Sequence, residues 1–342
     1  MIDFSHLANT TKGDFQVFHA NSRSFGDNWY TWRKPRGCNF VQFTGLAGGG
    51  GGSAGSTTSA SRSTNAAGQG GGSSGFSTLI YPLWALPNIL YITVGFGGRG
   101  ESKYSPVVSA TTGTNTCISL GNNKIVGNVL LYVNGGGAGN GVGYVSANGA
   151  AGTEVQNSYF QGPMGSMASF AFSGPTSYGT NWGGNQSANA GQSGGTGGSK
   201  NISTGAQTNT AQNVTAYASS VVTGGGGGGA AAFDSIENQP GEAGGIITST
   251  AFRTSYNSDP VFGNGNNGAH GFQPTSGLFT FYGGNGGDGA SRFDTNIYNG
   301  GNGGNGAYGC GGGGGGAAGW PVGSLSGNGG NGGDGLVVSL AW

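Results

Sequence analysis

Charge is what this chain has least of. Of 342 residues only 12 are Lys or Arg and 12 are Asp or Glu, so the formal net charge is zero. With no basic excess to neutralise phosphates, nucleic-acid binding is not expected. Neutrality gives a particle little solubility through self-repulsion, so it suits a subunit held in an assembly, or a surface kept wet by Asn, Ser and Thr. The one basic cluster, Arg33-Lys34-Pro35-Arg36, reads as a solvated turn before a strand. Cysteine is scarce too. Cys38, Cys117 and Cys310 are too few and too far apart for a disulfide framework or a zinc site, although one pair could join if the fold brings it together. No run approaches the roughly 18 apolar residues of a membrane span, so membrane insertion is not expected. The opening Met1-Ile2-Asp3-Phe4-Ser5-His6 has neither the basic nor the apolar region of a secretory signal. Synthesis in a cytoplasm is expected, with exit by lysis or inside a particle. Helical periodicity is nearly absent.

What fills the chain instead is glycine. Its 81 Gly and 10 Pro make up about 27% of the residues, a proportion usual in low-complexity sequence. The 18 Phe, 13 Tyr and 6 Trp argue against disorder, because disordered chains are poor in aromatics. Short apolar strand patterns also adjoin the glycine blocks. Val41 to Thr44, Leu90 to Val94, Leu130 to Val133, Ser220 to Thr223 and Leu278 to Tyr282 each run into glycines, and Gly327 to Gly335 feeds Leu336 to Leu340. The expected fold is all-β: a β-sandwich or jelly-roll-like set of strands interleaved with glycine-rich loops or polyglycine II helices.

Ordering so much glycine is costly, roughly 0.5–1 kcal/mol per residue relative to Ala. Side chains cannot offset that inside a glycine block, so dense backbone hydrogen bonding has to. The pattern Gly300-Gly301-Asn302-Gly303-Gly304-Asn305-Gly306 sets Asn at every third position, and Asn328, Asn331 and Asp334 repeat it. Polyproline II geometry has three residues per turn, which puts these polar side chains on one edge and leaves two glycine edges for close approach. Polyglycine II segments packed side by side, or against sister subunits, are therefore expected.

Residues 1–37 are poor in glycine and rich in Phe, Trp and Arg. They read either as an attachment segment, with Trp29, Tyr30 and Trp32 as apolar anchors, or as the first strand and loop of the same domain. Residues 38–342 form the glycine-rich β domain, with a Ser/Asn/Thr/aromatic insertion near 146–215. Catalytic signatures occur at the frequency that chance supplies. G-x-S-x-G is present at Gly51 to Gly55, Gly71 to Gly75 and Gly191 to Gly195, but no helix is expected after any of them. A calcium-roll pattern is matched formally at Gly283 to Ser291 and Gly329 to Val337, which makes Asp288 and Asp334 candidate ligands. Calcium wants six to eight oxygens and stacked repeats, so the commoner reading is that each Asp lines or ends a glycine helix. No cofactor is expected.

Three stretches carry a resemblance: Trp32-Arg33-Lys34-Pro35-Arg36-Gly37 before a strand and glycine block, Leu86 to Gly95, and the ending Asn328 to Val338 with terminal Trp342. In their order they resemble glycine-rich proteins of bacteriophage appendages, of the tail-fibre and tail-tip adhesin type. The resemblance implies a non-enzymatic virion surface protein without catalytic residues. It further implies a protein held by other virion proteins, whose loops touch a host surface glycan or outer-membrane protein; a homotrimer is expected because trimers suit elongated appendages. Tyr159, Phe160, Tyr178 and Trp182 in the insertion read either as candidate receptor contacts, since aromatic faces suit stacking on such partners, or as the core of the insertion itself. The rival readings are a head decoration or other purely structural virion component, an ice-binding or other polyglycine II protein, and a depolymerase. A depolymerase would need paired carboxylates that the scattered acidic residues do not offer.

Overall fold

A computed structural model of the chain describes residues 13–21, 29–57, 64–102, 108–124, 128–139, 170–172, 178–181, 184–185, 188–189, 192–201, 207–216, 222–231, 241–249, 264–273, 281–290, 296–318 and 324–342. The fold is all-β. In chain order the strands are β1 (Asp14–His19), β2 (Trp29–Arg33), β3 (Phe40–Leu46), β4 (Thr64–Ala66), β5 (Phe76–Pro82), β6 (Ile89–Thr93), β7 (Thr116–Ser119), β8 (Val129–Val133) and β9 (Phe170–Phe172). They continue with β10 (Tyr178–Asn181), β11 (Gly184–Asn185), β12 (Ala188–Asn189), β13 (Ser199–Asn201), β14 (Gln207–Asn209), β15 (Val214–Ala216), β16 (Ile247–Ser249) and β17 (Leu336–Ala341).

Two sheets make a sandwich. One has the order β1-β17-β3-β5-β12 and the other β2-β6-β7-β8. Successive side chains on a strand point to opposite faces, so Val41 and Phe43 of β3, Leu79 and Tyr81 of β5 and Val337 of β17 enter the interior together. They meet Trp32, Leu90, Ile92, Ile118, Leu131 and Val133 of the facing sheet. Trp32 is 1% exposed and packs edge-on to Phe43 across the interface, with ring centroids 5.3 Å apart. Burying each such side chain is worth about 1.5–3 kcal/mol, which anchors everything built above it.

The described residues before Cys38 supply two strands of the sandwich, β1 and β2. β1 pairs in register with β17 from Asp14↔Ala341 to His19↔Leu336, and β2 pairs with β6 from Trp29↔Thr93 to Arg33↔Ile89. Two of the expected strand patterns are described only in part, and their described residues are not strand. Val222 and Thr223 open a glycine segment, as do Phe281 and Tyr282, while Ser220, Val221 and 278–280 lie outside the described residues. The reason is burial at a seam: Val222 and Phe281 join Leu46, Phe76, Cys310, Leu336 and Val338 in a second apolar cluster.

Glycine segments grow out of the strands without a break. β3 runs into 47–56, 66–75 runs into β5, β6 runs into 95–101, 108–114 into β7, β8 into 134–139, and 324–335 into β17. The sandwich thus sets the spacing and direction of these segments at one end of a bundle. The segments 192–198, 210–213, 222–231, 241–246, 264–272, 282–290, 299–307 and 310–318 complete it.

Candidate functional site

The site that distinguishes this molecule is the glycine bundle. Its building rule is visible in the 47–56 segment. Gly49, Gly52 and Gly55 donate their N–H groups to Gly333, Gly330 and Gly327. Gly50, Ser53 and Ser56 donate to Gly72, Gln69 and Ala66, and Gly48 and Gly51 donate to Thr114 and Thr111. Donors three residues apart share one neighbour, so the backbone has three residues per turn. Among the described glycines only Gly37 and Gly309 have positive φ. A threefold helix with negative φ is left-handed, which is polyglycine II.

Carbonyls complete the lattice. Within 47–56, Gly49 and Gly52 accept from Gly98 and Glu101, Gly48 and Gly51 from Gly136 and Gly139, and Gly50, Ser53 and Ser56 from Gly312, Gly315 and Ala318. This helix therefore exchanges bonds with six neighbours. The same holds for 310–318, which donates to 47–56, 222–231 and 299–307 and accepts from 66–75, 282–290 and 324–335. It holds again for 222–231. Three central helices, each ringed by six, amount to hexagonal packing in which backbone meets backbone. The bonds are 2.6–3.2 Å long, ordinary amide geometry.

Glycine is required here by contact and not by conformation. A Cβ placed on Gly52, Gly225, Gly313 or Gly330 would overlap a carbonyl of the adjoining helix. Gly309 is the exception: at φ +70 it turns the chain between 299–307 and 310–318.

Every third N–H of an outer helix points away from the bundle, and side chains cap it. Asn264, Asn267 and His270 accept from the backbone of Asn299, Asn302 and Asn305. Those three residues accept through Oδ1 from Leu325, Asn328 and Asn331. Asn331 and Asp334 then accept from Gly100 and Gly97. The period of three in asparagine thus matches the period of otherwise unpartnered donors. Inside the bundle Asn285 and Asp288 serve likewise, accepting from Ile247 and Gly244.

The two calcium candidates are thereby placed. Asp288 is 2% exposed and its Oδ2 accepts from the Asn266 amide. Burial raises its pKa, opposed by those hydrogen bonds. Asp334 lies at the other end of the asparagine ladder. Among the described residues no group of three or more His, Cys, Asp or Glu could hold a metal ion. Two of the G-x-S-x-G serines belong to the lattice, where Ser53 Oγ accepts from Gln69 and Ser73 Oγ from Gln192. None of the three cysteines is in a disulfide. A cavity of about 240 Å³ lined by Ile247, His270, Phe272 and Tyr282 includes no carboxylate.

The bundle has two distinct ends. At the end away from the sandwich the chain passes between 47–56 and 66–75, 95–101 and 108–114, 192–198 and 210–213, 222–231 and 241–246, 282–290 and 299–307, and 310–318 and 324–335. The described ends of six consecutive segment pairs thus share one face. The opposite end, the base of the sandwich, gathers the start of β3 and the ends of β2, β5 and β17. There Phe40, 40% exposed, stacks on Trp342, and Trp84 is 67% exposed. Arg33, which ends β2, and Arg36 are exposed, and Lys34 donates to the carbonyls of Leu83 and Leu86 on either side of the Trp84 turn.

Of the proposed anchors, Trp29 and Tyr30 are half-buried and Trp32 belongs to the core. Phe40 and Trp84 are not singled out by the sequence, and Trp342 only as the end of the closing strand; their shared signal is an aromatic at or just past the strand end remote from the glycine block. Of the receptor candidates, Tyr159, Phe160 and Trp182 lie outside the described residues. The backbone of Tyr178 opens β10 opposite Phe172, and its side chain lies outside them too.

A search of curated proteins finds no match to the chain. A family described as a glycine-rich domain does match, over residues 24–248. That span takes in about two thirds of the sequence and includes the sandwich strands β2, β3 and β5 to β8 together with the helices that grow from them, so the chain belongs to the glycine-rich domain family.

Proposed function

We propose that this chain is a non-enzymatic scaffold on the surface of a bacteriophage particle, a component of a tail fibre or tail tip that carries connecting loops outward. The observation that supports this reading best is the polarity of the bundle. Helices stiffened by backbone lattice bonds run from one fixed sandwich to six pairs of segment ends at the far side. Such a body holds variable segments in place without needing a side-chain core of its own, and binding residues sit most often on loops positioned by a rigid scaffold. The base, with Phe40, Trp84, Trp342, Arg33 and Arg36, is the proposed seat on other virion proteins, and a homotrimer is the proposed assembly. The far-end connections are the proposed contact with a glycan or an outer-membrane protein of the host.

Immunogold electron microscopy tests this. Antibodies to the purified chain should label tail appendages of the phage that encodes it, and the purified chain should slow adsorption to host cells. Label confined to the capsid would replace the appendage by a head decoration. Intact particles without label would end the proposal.

A further inference from the structure

The bundle is built on the least durable dipeptide in protein chemistry. Asn-Gly deamidates because the glycine nitrogen, lacking a bulky neighbour, attacks the asparagine side chain. Having given its proton to hydroxide, that nitrogen bonds to Cγ. The Cγ–Nδ2 bond then breaks and ammonia leaves. Water opens the resulting succinimide at either carbonyl, which yields aspartate or isoaspartate. Nothing but water is needed, and asparagine is thermolabile for this reason.

Asn-Gly steps begin at Asn134, Asn264, Asn267, Asn285, Asn299, Asn302, Asn305, Asn328 and Asn331 among the described residues. At each one the attacking nitrogen is engaged. Gly265, Gly268, Gly300, Gly303 and Gly306 donate to the carbonyls of Asn299, Asn302, Leu325, Asn328 and Asn331. Gly286, Gly329 and Gly332 donate to Gly245, Glu101 and Gly98 at 2.9–3.0 Å, and Gly135 donates to Asn115 Oδ1 at 2.9 Å. For most of these asparagines Oδ1 is held as well, as for Asn302 by the Asn328 N–H at 2.8 Å. Attack requires both partners to let go and the backbone to rotate, which means locally opening the lattice.

We infer that these nine asparagines are latent modification sites, silent while the lattice is closed and reactive once it opens. The consequence is one-way. Isoaspartate adds a backbone methylene, so every N–H beyond it falls out of phase with the period of three. A bundle that has been open long enough to react cannot close in register. The order follows from position. Asn267 and Asn302 are exposed on outer helices, whereas Asn285 is 4% exposed and its Oδ1 accepts from Ile247. Outer steps convert first and Asn285 last.

The test is peptide mapping by mass spectrometry, with isoaspartate quantified, after matched incubation at mildly alkaline pH with and without guanidinium. The inference expects conversion at all nine steps in denaturant. In the native protein it expects conversion at least about a hundredfold slower, as local opening free energies in a cooperative lattice allow. Refolding yield should fall in step with isoaspartate content. Native conversion at Asn267 or Asn302 within about tenfold of the denatured rate would overturn it. So would inertness in denaturant, or full refolding of isoaspartate-bearing chains.

Discussion

Replacing Gly313 by alanine sets two physical effects against each other. Taken alone, Gly→Ala at a negative φ stabilises a protein by about 0.4–1 kcal/mol, because the unfolded chain loses freedom. Gly313 lies in the central 310–318 helix and has no positive φ, so a local view predicts a gain. The lattice reverses the sign. The new Cβ would stand 2.5 Å from the carbonyl carbon of Asn285 and closer still to its oxygen, where ordinary contact begins at 3.4 Å. The 282–290 helix must move away by about an ångström. That movement stretches the bonds from Gly284 to Gly311 (3.0 Å) and from Gly287 to Gly314 (2.9 Å). Each buried group left unsatisfied costs about 1–3 kcal/mol. The net expectation is a loss of about 3 kcal/mol, or several degrees in Tm. Denaturant titration and thermal melts followed by circular dichroism read this. Gly121→Ala is the control: its Cβ would meet only side chains, Asn123 at 3.2 Å and Asn128 at 3.7 Å, and the change should stay within about 1 kcal/mol. A Gly313→Ala protein as stable as the parent, or more so, would refute the argument from contact.

The capping ladder makes a smaller prediction. Asn302→Ala should strip protection from the Asn328 amide in hydrogen exchange and cost about 0.5–1.5 kcal/mol, because water can replace an exposed cap. Asp288 makes a prediction in pH. Its folded pKa is raised from the ordinary 3.8, so the folded state favours the protonated acid, and the stability this group contributes is lost as pH rises through the folded value. Wild type should therefore lose stability relative to Asp288→Asn as pH rises above the ordinary 3.8, read as the difference of two denaturation series; a constant difference would contradict the burial argument. For the cysteines, burial pushes the Cys310 thiol up to about 12. At pH 8 a thiol reagent should modify half-buried Cys38 in the native protein, and Cys117 and Cys310 only on unfolding.

Much of the local architecture was legible because it has a period. Alternating Val41 and Phe43, or Leu90 and Ile92, announce strands buried on one face. Asparagine at every third position announces a threefold helix with one polar edge. What that edge does was not legible. The spacing shows where Asn302 points, but not that its oxygen closes the N–H of Asn328 on the next helix. Nor was helix order legible. Glycine offers no side chain by which Gly52 could specify Gly330 as its partner, so the pairings come from strand order in the sandwich and from where the chain turns. The described ends of two further strand patterns, Val222-Thr223 and Phe281-Tyr282, are not strand for a related reason. Val222 and Phe281 are apolar because they seal the seam between sandwich and bundle, a demand that looks the same in sequence as a short strand. The base was missed because Trp84 and Trp342 become neighbours of Phe40 only once β3, β5 and β17 are aligned.

Backbone meeting backbone in register is the claim on which the rest stands, and amide hydrogen exchange resolved to single glycines tests it most directly. Gly224 to Gly229 and Gly311 to Gly316 should exchange as slowly as the central strand β3, because both lie in one cooperative network. Exchange there at the rate of an unstructured peptide, with β3 still protected, would mean that the helices do not form a lattice.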